Sequence, residues 1–190
     1  VREGAVVLPF RHTPVTKWHL EKGAFMYEAG ARWRRPGYFQ RDGESFQEAV
    51  NRECAAVRTG VGVYDGSPLG KFELKGKNVG EFLDLIYTNM MSSLLPGNGR
   101  YGLMLTDDGL IFDDGVAFRI DQHRWFISTS SGHSDNVNQH MQKILAFDRP
   151  DLDVKITNIT NQWNNATVCG PLARKLVQKL GTDIDLGNSS

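Results

Sequence analysis

Gly97-Asn98-Gly99-Arg100-Tyr101-Gly102-Leu103-Met104-Leu105-Thr106-Asp107-Asp108-Gly109-Leu110-Ile111-Phe112-Asp113-Asp114-Gly115-Val116-Ala117-Phe118 is the stretch from which the fold is read. Two apolar runs flank Asp107-Asp108-Gly109. Asp-Gly between alternating hydrophobics signals a hairpin, because glycine accepts the positive φ of the turn. The spacing predicts strands over residues 101–106 and 110–118. Side chains alternate across a strand, so Leu110, Phe112, Asp114, Val116 and Phe118 share a face. That face is the more apolar one. A buried carboxylate without a partner is costly and tends to mark a functional site, which makes Asp114 the candidate functional residue. The alternative is a bulge at Asp113-Asp114-Gly115 that turns Asp114 to water.

Outward from the hairpin, short strands alternate with helices. Toward the N-terminus, Ala5-Val6-Val7-Leu8 is a short apolar run closed by Pro9, and residues 23–27 read as a strand. Residues 30–42 carry Arg32, Trp33, Arg34, Arg35, Tyr38 and Phe39. That stretch reads as a loop with solvated arginines, or as a seat for an anionic ligand or an acidic partner. Ser45-Phe46-Gln47-Glu48 is a capping box, and Gly60 closes the helix it opens. Residues 61–64 and 71–75 read as strands. Asn78 is placed to cap a helix with the stripe Val79, Phe82, Leu83 and Ile86. Toward the C-terminus, residues 124–128 form a third strand, and Val137, Met141, Ile144 and Leu145 mark a helix. Residues 154–159 and 164–169 form further strands. Gly170-Pro171 opens a last helix, with Leu172, Leu176 and Leu180 as its buried stripe. The order implies an α+β fold of antiparallel sheets with flanking helices.

Composition narrows the function. The 190 residues suffice for one domain or parts of two. Lys+Arg and Asp+Glu are both 22, which argues against a general nucleic-acid binder. No apolar run approaches the ~18 residues of a membrane span. The chain starts with Val and stops just after a helical pattern, so it reads as a piece of a longer polypeptide. Cys54 and Cys169 sit alone in apolar periodic segments, giving neither a disulfide framework nor a zinc motif. A reducing, cytoplasmic setting is expected. No Gly-x-Gly-x-x-Gly, Walker loop, nucleophile elbow or His-Glu-x-x-His is present. His12, His19, His123, His133 and His140 are scattered, read as surface or capping residues, and no metal site is expected.

Further motifs carry a resemblance. Val61-Gly62-Val63-Tyr64-Asp65-Gly66-Ser67 resembles the Val-Gly-x-x-Asp-x-Ser segment of the folate-binding aminomethyltransferases, the glycine-cleavage T-protein family. Asp108-Gly109-Leu110-Ile111-Phe112-Asp113-Asp114 is similar to that family's Gly-Gly-Ile-x-Asp-Asp signature, whose second aspartate matches Asp114. Pro9-Phe10-Arg11-His12-Thr13-Pro14, Trp18-His19 and Arg35-Pro36-Gly37-Tyr38 match more narrowly. So do Arg100-Tyr101-Gly102-Leu103-Met104-Leu105, Phe112-Asp113-Asp114-Gly115-Val116, Gln162-Trp163 and Cys169-Gly170-Pro171. Together these resemble the C-terminal part of the alpha subunits of heterotetrameric sarcosine oxidases.

The resemblance implies an incomplete T-protein fold. Its first folate-binding subdomain would comprise residues 1–70 plus 154–190, with an inserted α+β subdomain over 71–153. It implies capture by tetrahydrofolate of the iminium formed when sarcosine is oxidised, giving 5,10-methylenetetrahydrofolate and glycine. Asp114 would then be the catalytic carboxylate, stabilising the passing cation, orienting N10 or accepting a proton. Tyr101, Leu69 and Thr129 match pocket-lining positions. Pro68 stands where many T-proteins have His, and Thr129 where they tend to have Asn. FMN, FAD and NAD are implied for the full complex, as are beta, gamma and delta subunits as partners. The alternatives are a T-protein or dimethylglycine dehydrogenase-like aminomethyltransferase, and a noncatalytic folate-binding or subunit-docking domain. The fragment alone is expected to be inactive.

Overall fold

The computed structural model describes residues 10–187. The apolar run at residues 5–8 lies outside them. In chain order the elements are α1 (Thr16–Glu21), β1 (Ala24–Glu28), β2 (Arg34–Phe39), α2 (Phe46–Thr59), β3 (Gly62–Asp65), β4 (Gly70–Lys75) and α3 (Val79–Ile86). There follow β5 (Gly99–Leu105), β6 (Ile111–Arg119), β7 (Arg124–Thr129), α4 (Ser134–Lys143), β8 (Lys155–Asn158), β9 (Ala166–Cys169) and α5 (Ala173–Gln178). The fold is α+β with every strand pairing antiparallel.

The described residues form two compact units: Pro68–Trp163, and residues 10–67 together with 164–187. These limits differ from the expected 70/71 and 153/154. The reason is β8, which hydrogen-bonds along β4 and so closes the sheet of the second unit.

The first unit holds two small sheets, β1-β2 and β3-β9. The stretch around Arg34, read as a loop, is strand β2, and Pro36 is accommodated on a strand whose partner strand among the described residues is β1. The capping box of α2 is complete. Glu48 N–H donates to Ser45 Oγ (3.3 Å), and Ser45 N–H donates to Glu48 Oε2 (2.8 Å). His19 is not a surface residue. It is 8% exposed, with Nε2 3.6 Å from Asp65 Oδ2. Burial pushes the Asp65 pKa up, but hydrogen bonds from Ser67 and Thr13, with His19 alongside, outweigh it and hold the carboxyl below its ordinary value. The stripe expected on the last helix is not buried. Leu172 and Leu180 are exposed, and α5 ends before Leu180. Cys54 and Cys169 are free and exposed.

The second unit carries the core. Its five strands run β5-β6-β7-β4-β8. Phe72, Leu74, Met104, Ala117, Trp125 and Ile127 project from one face onto Val79, Phe82 and Leu83 of α3 and Val137 and Met141 of α4. Each such fully buried side chain contributes roughly 1.5–3 kcal/mol. Asn78 does not cap α3. Its amide group donates to Glu81 and accepts from the Asp153 N–H, tying the helix start to the segment before β8. The turn at Gly109 takes the expected positive φ of 81°. The other face of the sheet is open at the β5-β6 edge, with Tyr101 and Phe118 exposed.

Two outcomes follow for stability. At Gly115 a Cβ would sit 1.8 Å from the Ser128 carbonyl oxygen. Backbone there cannot give way, so Gly115→Ala is expected to cost about 3 kcal/mol or more in chemical denaturation. Asp65 has a depressed pKa, so its stabilisation is present above the ordinary carboxylate range and lost as pH falls through the folded-state value. Asp65→Ala is expected to cost about 1–3 kcal/mol at neutral pH. That difference should shrink as denaturation curves are measured at progressively lower pH.

Candidate functional site

β5 and β6 position the site. Gly102 pairs with Gly115, Leu103 with Asp114 and Met104 with Asp113. The next pair is Leu105 with Ile111, so Phe112 has no partner across the ladder. Phe112 is therefore the extra residue of a β-bulge. Its ring packs against the rings of His133 (6.2 Å between centroids) and His140 (5.3 Å) near and along α4.

Beyond the bulge β6 alternates regularly, and this alternation sets which aspartate is buried. Asp113 faces the core and is 4% exposed, sharing that face with Ala117. Asp114 lies on the open face and is exposed. The expectation that Asp114 is the inward carboxylate is thus corrected. It shares its face with Val116 and Phe118 as alternation has it, but that face is the open one, and the bulge, one to two residues earlier in the chain than the alternative had it, turns Phe112 toward the core and not Asp114 outward. Asp113 was missed because Phe112, which the bulge turns to the core, was counted with Val116 and Phe118 and made their face read as the buried one.

On the open face the structure brings two of the expected residues together. Tyr101 pairs with Val116 and so lies diagonal to Asp114 on the same face. Its hydroxyl donates to Asp114 Oδ2 at 2.9 Å. That hydrogen bond, with smaller effects of burial and of the charges on Asp114 and Asp113, raises the Tyr101 pKa above its ordinary value. The phenol therefore stays protonated and keeps donating through the physiological range. Half-buried Leu103 and Val116 flank the pair. The result is a carboxylate with one oxygen held by a fixed donor, set among apolar side chains on an accessible surface. Such a group can bind a hydrogen-bonding heterocycle and stabilise positive charge beside it.

The other two expected residues are placed differently. Thr129 pairs with both Gly115 and Gly70, and its buried side chain lies on the core face, away from Asp114. Leu69 is half-buried just before β4, with its carbonyl accepting from Lys71 Nζ at 2.8 Å. The strand register stops short of it. The arginine stretch meets aromatic rings. Arg32 and Arg34 lie over Phe10, and Arg35 lies over Tyr64 at 4.7 Å. Among the described residues no group of three or more His, Cys, Asp or Glu side chains could hold a metal ion. None of the described helices is long and apolar enough to cross a membrane.

Residues 15–190 match the family described as the GCVT N-terminal domain, and the chain belongs to that family. It is 42% identical over 187 residues to a sarcosine oxidase subunit alpha of Corynebacterium sp. (strain U-96), covering 98% of this chain and 19% of that protein. It is 38% identical to the corresponding subunit of Rhizobium meliloti (strain 1021), covering 96% and 18%. An aminomethyltransferase of Chloroherpeton thalassium is 33% identical, over 93% of this chain and 45% of that protein. The chain thus spans about a fifth of the oxidase subunits and under half of the transferase. The crystal structure of a glycine cleavage system aminomethyltransferase T from Bartonella henselae shares the fold, with a TM-score of 0.81 and 20% identity over 94% of this chain and 45% of that one.

The Tyr101–Asp114 contact predicts a titration. Replacing Asp114 with Asn removes the anion that holds the phenol proton. The Tyr101 pKa, followed by NMR of its ring carbons, should drop toward its ordinary value. An unchanged titration would show that the hydrogen bond does not form in solution.

Proposed function

We propose that this chain is the folate domain of a sarcosine oxidase alpha subunit. On this reading it hands the one-carbon unit of oxidised sarcosine to tetrahydrofolate, releasing 5,10-methylenetetrahydrofolate and glycine. The observation that carries the reading is the Tyr101–Asp114 pair on an open, partly apolar sheet face. The 42% identity to an alpha subunit supports the particular assignment.

The residues fit the folate. Its pterin is flat and rich in N–H groups, matching a carboxylate flanked by Leu103 and Val116. Tetrahydrofolate supplies the two nitrogens that take up the carbon. Asp114 does the rest of the work assigned here. Tyr101 holds Oδ2, which leaves Oδ1 to meet a ligand N–H, and the carboxylate charge lies where a cationic carbon would arrive. Fixing the acceptor in this way favours capture over competing hydrolysis to formaldehyde. Leu69 and Thr129 remain proposed pocket positions. Thr129 would act through its backbone, since its side chain points away.

On the same reading FMN, FAD and NAD are held elsewhere in the complex, as no dinucleotide motif lies in this chain. Its partners are the beta, gamma and delta subunits, and its setting is cytoplasmic, in keeping with two free cysteines. A second reading is aminomethyl transfer from a lipoyl carrier, favoured by 33% identity to an aminomethyltransferase.

In the intact oxidase, Asp114→Ala is expected to keep sarcosine oxidation within about twofold. The yield of methylenetetrahydrofolate should fall about tenfold or more in favour of formaldehyde. An unchanged partition between the two products would reject the assignment.

A further inference from the structure

The two contacts that fix the bulge both come from one corner, the residues joining β7 to α4. Ser130 N–H donates to Asp113 Oδ2 at 3.2 Å. His133 Nδ1 donates to the Phe112 carbonyl at 2.9 Å, with its ring stacked on Phe112. Four residues, 130–133, thus clamp two consecutive residues of β6 from behind. Asp114 is the next residue along and has to project to the opposite face.

Asp113 is itself 4% exposed. Tyr87, whose phenol feels the Asp113 charge, is 5% exposed with a hydroxyl that finds no hydrogen-bond partner among the described residues. Burial, and then the charges on Asp113 and Asp114, push the Tyr87 phenol above its ordinary pKa. A carboxylate in such surroundings is costly. Gly102 and Gly115, opposite each other between the two strands, leave this region no bulk to shift into. A Cβ on Gly102 would come within 3.0 Å of Met91, Tyr87 and Asn89.

We infer that Asp113 is a positioning residue for the transfer reaction. By accepting the Ser130 N–H it anchors β6 through its core face directly before Asp114, and so holds Asp114 at its place on the open face within reach of Tyr101. It acts through hydrogen-bond acceptance, not through contact with the ligand. The inference rests on the folate reading given above.

The test uses the intact oxidase with saturating tetrahydrofolate. Folded sites are counted from the amplitude of the cooperative unfolding transition, so that partial unfolding is removed from the yield. Asp113→Ala is expected to lower methylenetetrahydrofolate yield per folded site about tenfold. Asp113→Asn retains an acceptor oxygen for Ser130 and should return most of that yield. If the alanine variant does not fold, Asp113→Leu fills the same space without an acceptor and should show the same loss. Wild-type yield per folded site in the alanine or leucine variant would overturn the inference, as would an asparagine variant as impaired as they are. Wild-type partition in Asp114→Ala would overturn the folate reading and this inference together. A loss there with none at Asp113 would overturn this inference alone.

Discussion

The anchoring of β6 at Phe112 and Asp113 by the corner between β7 and α4 is the constraint from which the geometry of the site follows. A strand displays its side chains with a period of two, so a one-residue insertion exchanges every face beyond it. Here the inserted residue is Phe112, so β6 alternates regularly from Asp113 onward. Asp113 goes to the core, where the Ser130 N–H meets it, and Asp114 goes to the open face, where the Tyr101 hydroxyl meets it.

The core makes that constraint firm. Trp125, Ile127 and Ala117 pack the middle of the sheet against α3 and α4. α4 begins directly after the corner that holds Asp113 and Phe112. The helix, the corner and the bulge are therefore positioned by one packed body, all within Pro68–Trp163. The open face needs no such packing. Its pair of polar groups is fixed by a single hydrogen bond and stays accessible to a ligand.

Much of the scaffold was legible in the sequence because its signals are local. Asp108-Gly109 specified the turn, Ser45 with Glu48 specified the start of α2, and alternation located β4, β7 and β8. The site was legible in part. Tyr101 and Asp114 were both named, but the face that carries them was assigned to the core. The reason is physical. The bulge is stabilised by Phe112 meeting His133 and His140, residues 21 and more positions away, and no pattern within β6 encodes that contact. Thr129 was expected to line the pocket, yet its side chain lies on the core face, paired with Gly115 and not with Asp114. The leucines around α5 have helical spacing, but spacing alone does not say whether anything covers them.

The central claim is that Asp114 and Tyr101 form one polar unit on an accessible face and meet a reduced pteridine there. It is tested most directly by carbon NMR of the Asp114 carboxylate and the Tyr101 ring during titration with 5-formyltetrahydrofolate. The account predicts that both resonances move together and saturate with the same dissociation constant. Saturable binding that leaves both unmoved would contradict it.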